Sequence, residues 1–353
     1  MEYARRLTEE LRNRRQLVAA DTFRTIYFGG GTPSLWSGEA LRFFSAEIAE
    51  SVSTAEEFTV EFNPECADPA TIDRWLDAGA NRVSLGVQSV DPKTLGWLGR
   101  EHDREAVRAA LRHLTDSDVE HVSVDLIYGV PTRGVDGIRS ELERLLQWDV
   151  IDHISAYELT WEPRTPLDAA RKRGEVKPVK DGQVVDEFEE IHRTLTEAGF
   201  EHYEVSSYAR PGAQALHNRS YWSGRPYLGI GVGAHSLIYD DDSNMRRTSN
   251  VRALRKYLCD GHSYENEEVL SAGERAAELC MLSLRTARGL DIGRLTELIE
   301  LPVGAVGELE AACSRWHAEG YGEFAAGVFE PSARGFLYSD SLALEAMEII
   351  LDG

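Results

Sequence analysis

Lysine is scarce in this 353-residue chain: five lysines stand against 33 arginines, and 60 aspartates and glutamates outnumber all 38 basic side chains. The net charge of −22 repels nucleic-acid backbones and anionic membranes over the average surface, so neither is an expected partner. Strong acidity with so little lysine fits adaptation to high salt, and equally an ordinary acidic cytosolic protein. No apolar run approaches the roughly 20 residues of a membrane helix. The opening Met1-Glu2-Tyr3-Ala4-Arg5-Arg6 has no apolar stretch behind it, so no signal peptide is expected and a cytoplasmic location is. Cysteine is sparse too. Cys66, Cys259, Cys280 and Cys313 never fall within four residues of one another, which excludes a local metal clip and leaves reduced, partly buried thiols as the expectation.

What is present is a rhythm. Short β-branched or aromatic segments at 25–28, 58–62, 82–87, 121–128, 151–158 and 201–206 read as strands. Helical patterns fall between them, at 39–52 (Leu41, Phe44, Ile48 and Val52 on one face), 70–78, 104–114, 136–148 and 184–198. Such alternation predicts an α/β fold with parallel strands and right-handed crossovers, either a barrel or a doubly wound sheet. The chain opens on a helix over 2–18, as if on the second half of a unit whose first strand is missing. After about residue 240 the pattern changes. A polar loop at 240–244 leads to helices over 273–287 and 303–318, short strands at 321–324, 328–330 and 335–339, and a closing helix over 341–351. This predicts two domains, 1–240 and 241–353, the second mainly helical and resembling a winged helix. The acidic charge argues for a packing role over a DNA-binding one.

Polar and glycine-rich residues follow the strands, where α/β folds collect ligands. Gly29-Gly30-Gly31-Thr32-Pro33 lets backbone N–H groups approach a carboxylate, a phosphate or an amino-acid moiety, although a tight turn explains it as well. Glu61 ends the second strand, in Glu-Phe-Asn-Pro, where it could receive an ammonium or ribose hydroxyls. Gln88 ends the third. Asp125 interrupts the apolar run 122–128 and must be paired or functional, because burying it alone is costly. Arg100 reads as a carboxylate partner or a surface arginine. Their recurrence at successive strand ends is the informative feature, since one ligand lying across a barrel mouth would touch several.

Taken in order, these segments resemble the radical S-adenosylmethionine (SAM) family that contains the oxygen-independent coproporphyrinogen III oxidases and the HemW-like heme chaperones. The segments are 27–33, 61–64, 84–89, Gly-Arg-Glu-His at 99–102 and Val-Asp-Leu-Ile-Tyr-Gly-Val-Pro at 124–131. The resemblance implies an incomplete parallel (β/α) barrel, open enough for a tetrapyrrole. It implies that Gly30, Gly31 and Thr32 contact the methionine end of SAM, and that Glu61, Gln88, Arg100 and Asp125 complete the pocket. His217-Asn218-Arg219-Ser220-Tyr221-Trp222 matches the His-Asn-x-x-Tyr-Trp motif of the chaperone branch. That match implies heme contact through His217, Asn218, Tyr221 and Trp222, chemistry suited to an iron-ligating imidazole and stacking aromatics. Gly-Ile-Gly-Val-Gly-Ala-His-Ser at 229–236 resembles the same branch.

The family's Cys-x-x-x-Cys-x-x-Cys, whose thiolates hold a [4Fe–4S] cluster, has no counterpart in this sequence. The expectation is a chain that begins just after that motif, through a shortened sequence or a start placed too late. The alternative is a natural cluster-less paralogue. Radical chemistry is not expected of the chain as written. Three functions are thus in play: a chaperone that binds heme and delivers it to acceptor proteins, a coproporphyrinogen oxidase, and a cluster-less metabolite binder.

Overall fold

The computed structural model describes residues 1–18, 23–31, 33–239, 244–260 and 264–352. Thr32 and most of the polar loop expected at 240–244 lie outside them. The chain divides into two compact units, one formed by Thr25–Trp36 and Glu57–Ala215, the other by Met1–Arg24, Ser37–Glu56 and Leu216–Gly353.

The first unit is built on a seven-stranded sheet. Its strands are β1 (Thr25–Phe28), β2 (Glu57–Phe62), β3 (Arg82–Gln88), β4 (His121–Tyr128), β5 (Ile151–Glu158), β6 (Glu201–Glu204) and β7 (Ser207–Ala209). Their order is β1-β2-β3-β4-β5-β7-β6. β1 to β5 pair in parallel, as expected. The segment expected as one strand at 201–206 is instead a tight hairpin, and β7 pairs antiparallel with β5 and β6. Alternation along β4 shows how the layers form. Val122, Val124 and Leu126 are fully buried on one face, while Ser123, Asp125 and Ile127 occupy the other. The apolar row faces helices whose own stripes (Val107, Leu111 and Leu114; Ile138, Leu142 and Leu145) are likewise buried.

The sheet curls into a half-barrel. Tyr27 on β1 lies within electrostatic range of Asp125 on β4 and Tyr157 on β5, a span that a flat sheet with strands about 4.8 Å apart would not allow. The N-terminal ends of the strands hold buried polar pairs. Arg82 bonds Glu57 at 2.9 Å, both nearly inaccessible, and donates to the Ala213 carbonyl at 3.0 Å. His153 meets the Tyr203 hydroxyl at 2.8 Å.

The second unit contains two antiparallel sheets. β8 (His235–Tyr239), β9 (Met245–Asn250) and β10 (Tyr264–Leu270) form one. β11 (Leu290–Asp291), β12 (Gly322–Ala325) and β13 (Val328–Pro331) form the other. A continuous apolar core runs from Ala276 to Ile350 and includes Leu309, Trp316 and Phe329. The strand expected at 335–339 is absent. Ser332 caps Gly335 N at 3.2 Å and opens a short helix, Ala333–Leu337, followed by Ser339–Asp352.

The opening helix, Glu2–Arg14, carries a sealed network in this unit. Arg14 and Glu10 pair at 2.8 Å with almost no exposure. Arg14 donates to the Gly229 carbonyl at 2.9 Å, and Glu10 accepts from Gly231 N at 2.9 Å. Asn250 donates to Glu10 at 2.7 Å and to the Gly231 carbonyl at 2.8 Å. The glycine-rich segment 229–236 is thus clamped from behind. A Cβ on Gly229 would sit 1.9 Å from the His235 carbonyl oxygen, so only glycine fits there. Among the described residues, no helix is long and apolar enough to cross a membrane.

Candidate functional site

The C-terminal ends of β1 to β5 carry the residues singled out above. β1 runs into Gly29, Gly30 and Gly31, with Gly30 at φ 74°, a conformation that glycine adopts without strain. Glu61, near the end of β2, holds this loop. One carboxylate oxygen accepts the Gly30 N–H at 3.0 Å and the other accepts the Tyr27 hydroxyl at 2.7 Å. A Cβ on Gly29 would lie 2.5 Å from Glu61 Oε1, whereas one on Gly30 or Gly31 would meet nothing within 4 Å. The first glycine makes room for the carboxylate, and at Gly30 and Gly31 the space a side chain would occupy is empty. Burial first, and then Glu61, push the Tyr27 phenol far above its ordinary range, so it stays a donor.

Gln88 closes β3 at φ 61°, rare for a residue with a side chain and typical of constrained sites. Its amide would lie 3.0 Å from a Cβ on Gly86. The following segment is tethered to this strand end, because buried His102 donates from Nε2 to the Val87 carbonyl at 2.9 Å. Arg100, two residues earlier, stands exposed. Asp125 accepts the Ser84 hydroxyl at 3.0 Å. Burial raises its carboxyl to about 6, opposed by the Ser84 and Ser155 hydroxyls and helped by nearby Glu61.

The geometry therefore gathers Gly30, Glu61 and Asp125 at one mouth, with Gln88 at the neighbouring strand end and Arg100 on an exposed turn. Two phenols that sequence reasoning passed over, Tyr27 and Tyr157, line the same mouth. Their signal was positional: Tyr27 lies two residues before the glycines, and Tyr157 is next to last in β5.

The second unit carries the remaining candidates on a seven-residue helix, Leu216–Trp222, that has no fully buried residue. His217 Nε2 lies 3.0 Å from the Tyr221 hydroxyl, one helical turn on. Their rings meet edge-on at 4.8 Å, and Tyr221 meets Tyr227 in the same way at 4.7 Å. Asn218 and Trp222 are half-buried. Tyr227, which sequence reasoning missed, is held by reciprocal backbone bonds to Leu237 at 2.8 and 3.0 Å.

The parallel half-barrel, with its glycine loop at a strand end, agrees with the radical SAM fold that the sequence motifs imply. The Radical SAM superfamily pattern matches residues 2–145. The structure aligns with Escherichia coli coproporphyrinogen III oxidase (HemN), a radical SAM enzyme, at a TM-score of 0.81. That alignment covers 98% of this chain and 82% of that one at 21% identity, a likeness of fold. In sequence, the heme chaperone HemW of Lactococcus lactis subsp. lactis is 33% identical over 292 residues, 82% of this chain and 74% of that one. HemW of Mycobacterium tuberculosis (strain H37Rv) is 36% identical over 282 residues, 78% and 71% of the two chains. This chain belongs to the HemW heme-chaperone family.

Proposed function

We propose that the protein binds SAM at the half-barrel mouth and heme at the helix Leu216–Trp222, and that it delivers heme to acceptor proteins in the cytoplasm. The observation that carries the heme reading is the His217–Tyr221–Tyr227 ladder. A helix with no fully buried residue offers an imidazole and a phenol in contact, and Tyr227, beyond the helix, adds a second phenol edge-on to Tyr221, of use to a flat iron-bearing ligand. In this reading His217 exchanges its bond to Tyr221 for the iron, Tyr221 and Trp222 pack on the macrocycle, and Asn218 bonds its periphery. The core from Ala276 to Ile350 supports a packing role for the C-terminal part of the chain.

SAM fits the mouth. In this reading Gly30 and Gly31, with empty space where side chains would stand, and Thr32 would take the methionine end. Glu61, Gln88, Arg100 and Asp125 would surround the rest. A sulfonium cation is at home beside Glu61 and Asp125. Bound there, SAM would supply an electrophilic sulfonium, and the protein's part is to fix the loop and to place carboxylates near the charge. A [4Fe–4S] cluster does not fit the residues present. The four cysteines are scattered, two of them buried, and among the described residues no three His, Cys, Asp or Glu side chains gather to hold a metal ion. The proposal therefore runs through SAM and heme binding alone.

Hemin affinity tests it. His217→Ala is expected to weaken binding at least about tenfold, the scale of one lost ligand or charged hydrogen bond. Equal affinity in wild type and variant would remove the helix as the heme site.

A further inference from the structure

Gln88 ends β3 in a strained turn. Along β3 the register advances three residues, Leu85 to Gln88, against two on β4, Val124 to Leu126, so β3 carries a bulge at its C-terminal end. Bulges re-aim side chains beside functional sites. Gln88 has φ 61°, and the Ser89 N–H bonds back to the Val87 carbonyl at 2.7 Å, closing a γ-turn of the rare, strained kind. The Gln88 amide lies beside Gly86, where a Cβ would come within 3.0 Å of its Nε2. Gly86 shares a face of β3 with Ser84, which bonds Asp125, so the amide stands on the Asp125 face. A strained conformation of this kind persists only where its surroundings over-determine it.

The chain is anchored on both sides of that turn. Upstream, His102 holds the Val87 carbonyl at 2.9 Å. Downstream stands Glu141, buried on the helix Val135–Leu145. The Ser89 hydroxyl donates to its carboxylate, 2.9 and 2.8 Å from the two oxygens, and the Val90 N–H donates to Oε2 at 3.0 Å. Ser89 Oγ in turn accepts the Asp91 N–H at 3.0 Å. Arg133 balances the charge, its Nη1 2.5 Å from Glu141 Oε1. Its Nη2 donates to the carbonyl of Ile127, two residues past Asp125 on β4. Taking two such charges out of water is costly. Among the described residues, the bonds of Glu141 other than that to Arg133 all go to the two residues that follow Gln88.

We propose that Glu141 and Arg133 are positioning residues of the half-barrel site: the buried pair grips the chain just after Gln88 and so keeps the Gln88 amide on the Asp125 face, against the strain of its own backbone, where a ligand in the mouth meets it. Neither residue touches the ligand. Released from the pair, the turn relaxes toward the negative φ that glutamine prefers, and the amide leaves its place. The role toward the ligand rests on the reading of the mouth as a SAM site; the grip on the turn does not. A pair that only bolted its helix to the sheet would act in the same way whatever side chain stood at position 88.

Two measurements on the whole chain test the two parts. Amide hydrogen exchange reads the turn without ligand. Glu141→Gln keeps the shape and loses the charge, and is expected to speed exchange across residues 88–91 about tenfold, the scale of one weakened charged hydrogen bond. Ser89→Ala leaves the Arg133–Glu141 pair whole, should do the same, and stands in if Glu141→Gln does not fold. Unchanged exchange in that segment in either folded variant overturns the grip. Calorimetric titration with SAM reads the amide. Glu141→Gln and Gln88→Gly are each expected to weaken binding about tenfold. Gln88→Gly/Glu141→Gln should bind no more weakly than Gln88→Gly alone, because the side chain being positioned is already gone. Losses that multiply to about a hundredfold in the double variant mark a general structural effect and overturn the positioning role, as does wild-type affinity in Glu141→Gln. If the wild-type protein binds no SAM, the reading of the mouth and the role toward the ligand fall together, and the exchange data alone decide the grip.

Discussion

Glu61 does two jobs with one carboxylate, holding the Gly30 amide with one oxygen and the Tyr27 phenol with the other. Replacing it with Gln keeps the shape but turns a charged acceptor into a neutral one, with a donor where a second acceptor is needed. Charged hydrogen bonds are worth about 1.5–3 kcal/mol, and both of these are internal, so Glu61→Gln is expected to lower the melting temperature by roughly a few degrees and, by loosening the Gly30 loop, to weaken SAM binding in calorimetry. Gly29→Ala should be worse on both counts, because its methyl group would overlap Glu61. At this scale the sequence was partly legible. Glycines after a strand and an acidic residue at a strand end announce a mouth, which is how Gly30 and Glu61 were found, and Asp125 stood out as a carboxylate inside an apolar run. Glu204 was not legible. Its burial depends on a hairpin turning back between β6 and β7, which a strand read straight through 201–206 hides.

At the scale of elements, parallel strands and their helices were visible because their periodicities differ: runs such as 121–128 are short and β-rich, while 104–114 repeats every three to four residues. The sheet β8–β10 was not visible. Met-Arg-Arg-Thr-Ser-Asn and Tyr-Glu-Asn-Glu-Glu-Val-Leu carry too little apolar alternation to signal strands, and cross-strand pairs such as Arg246–Glu267 and Arg247–Glu268 support them instead. Gly-Phe-Leu-Tyr-Ser at 335–339 misled in the other direction, since aromatic content suggested a strand where a serine cap starts a helix. Two stability tests belong here. Arg82→Ala takes the guanidinium away from buried Glu57 and should cost about 3–5 kcal/mol in urea melts; a loss under 1 kcal/mol would show that the pair is dispensable. Glu204 binds its proton more tightly in the folded state than in the unfolded one. Its ionisation therefore costs stability that is intact below an ordinary glutamate pKa of about 4.3 and is progressively lost as pH rises through about 7. Glu204→Gln should accordingly gain stability over wild type at pH 8 relative to pH 5, and a pH-independent difference would contradict the burial argument.

For the whole molecule, the excess of 60 acidic over 38 basic side chains sets a self-repulsion that salt relieves by screening. Melting temperature is expected to rise from low to molar salt; a flat or falling series would remove salt adaptation as the reason for the composition. Charge also bears on the choice among functions. The half-barrel mouth gathers Glu61 and Asp125 next to two phenols, surroundings that favour a cation over a polycarboxylate. The aromatic helix Leu216–Trp222 offers what a flat iron-bearing ligand needs. The most direct test is a hemin titration followed by the Soret band, in wild type and in His217→Ala. Saturable binding, with a Soret shift that weakens or moves when His217 is removed, is the expected result. An identical spectrum and identical saturation in the variant would contradict heme ligation by this helix.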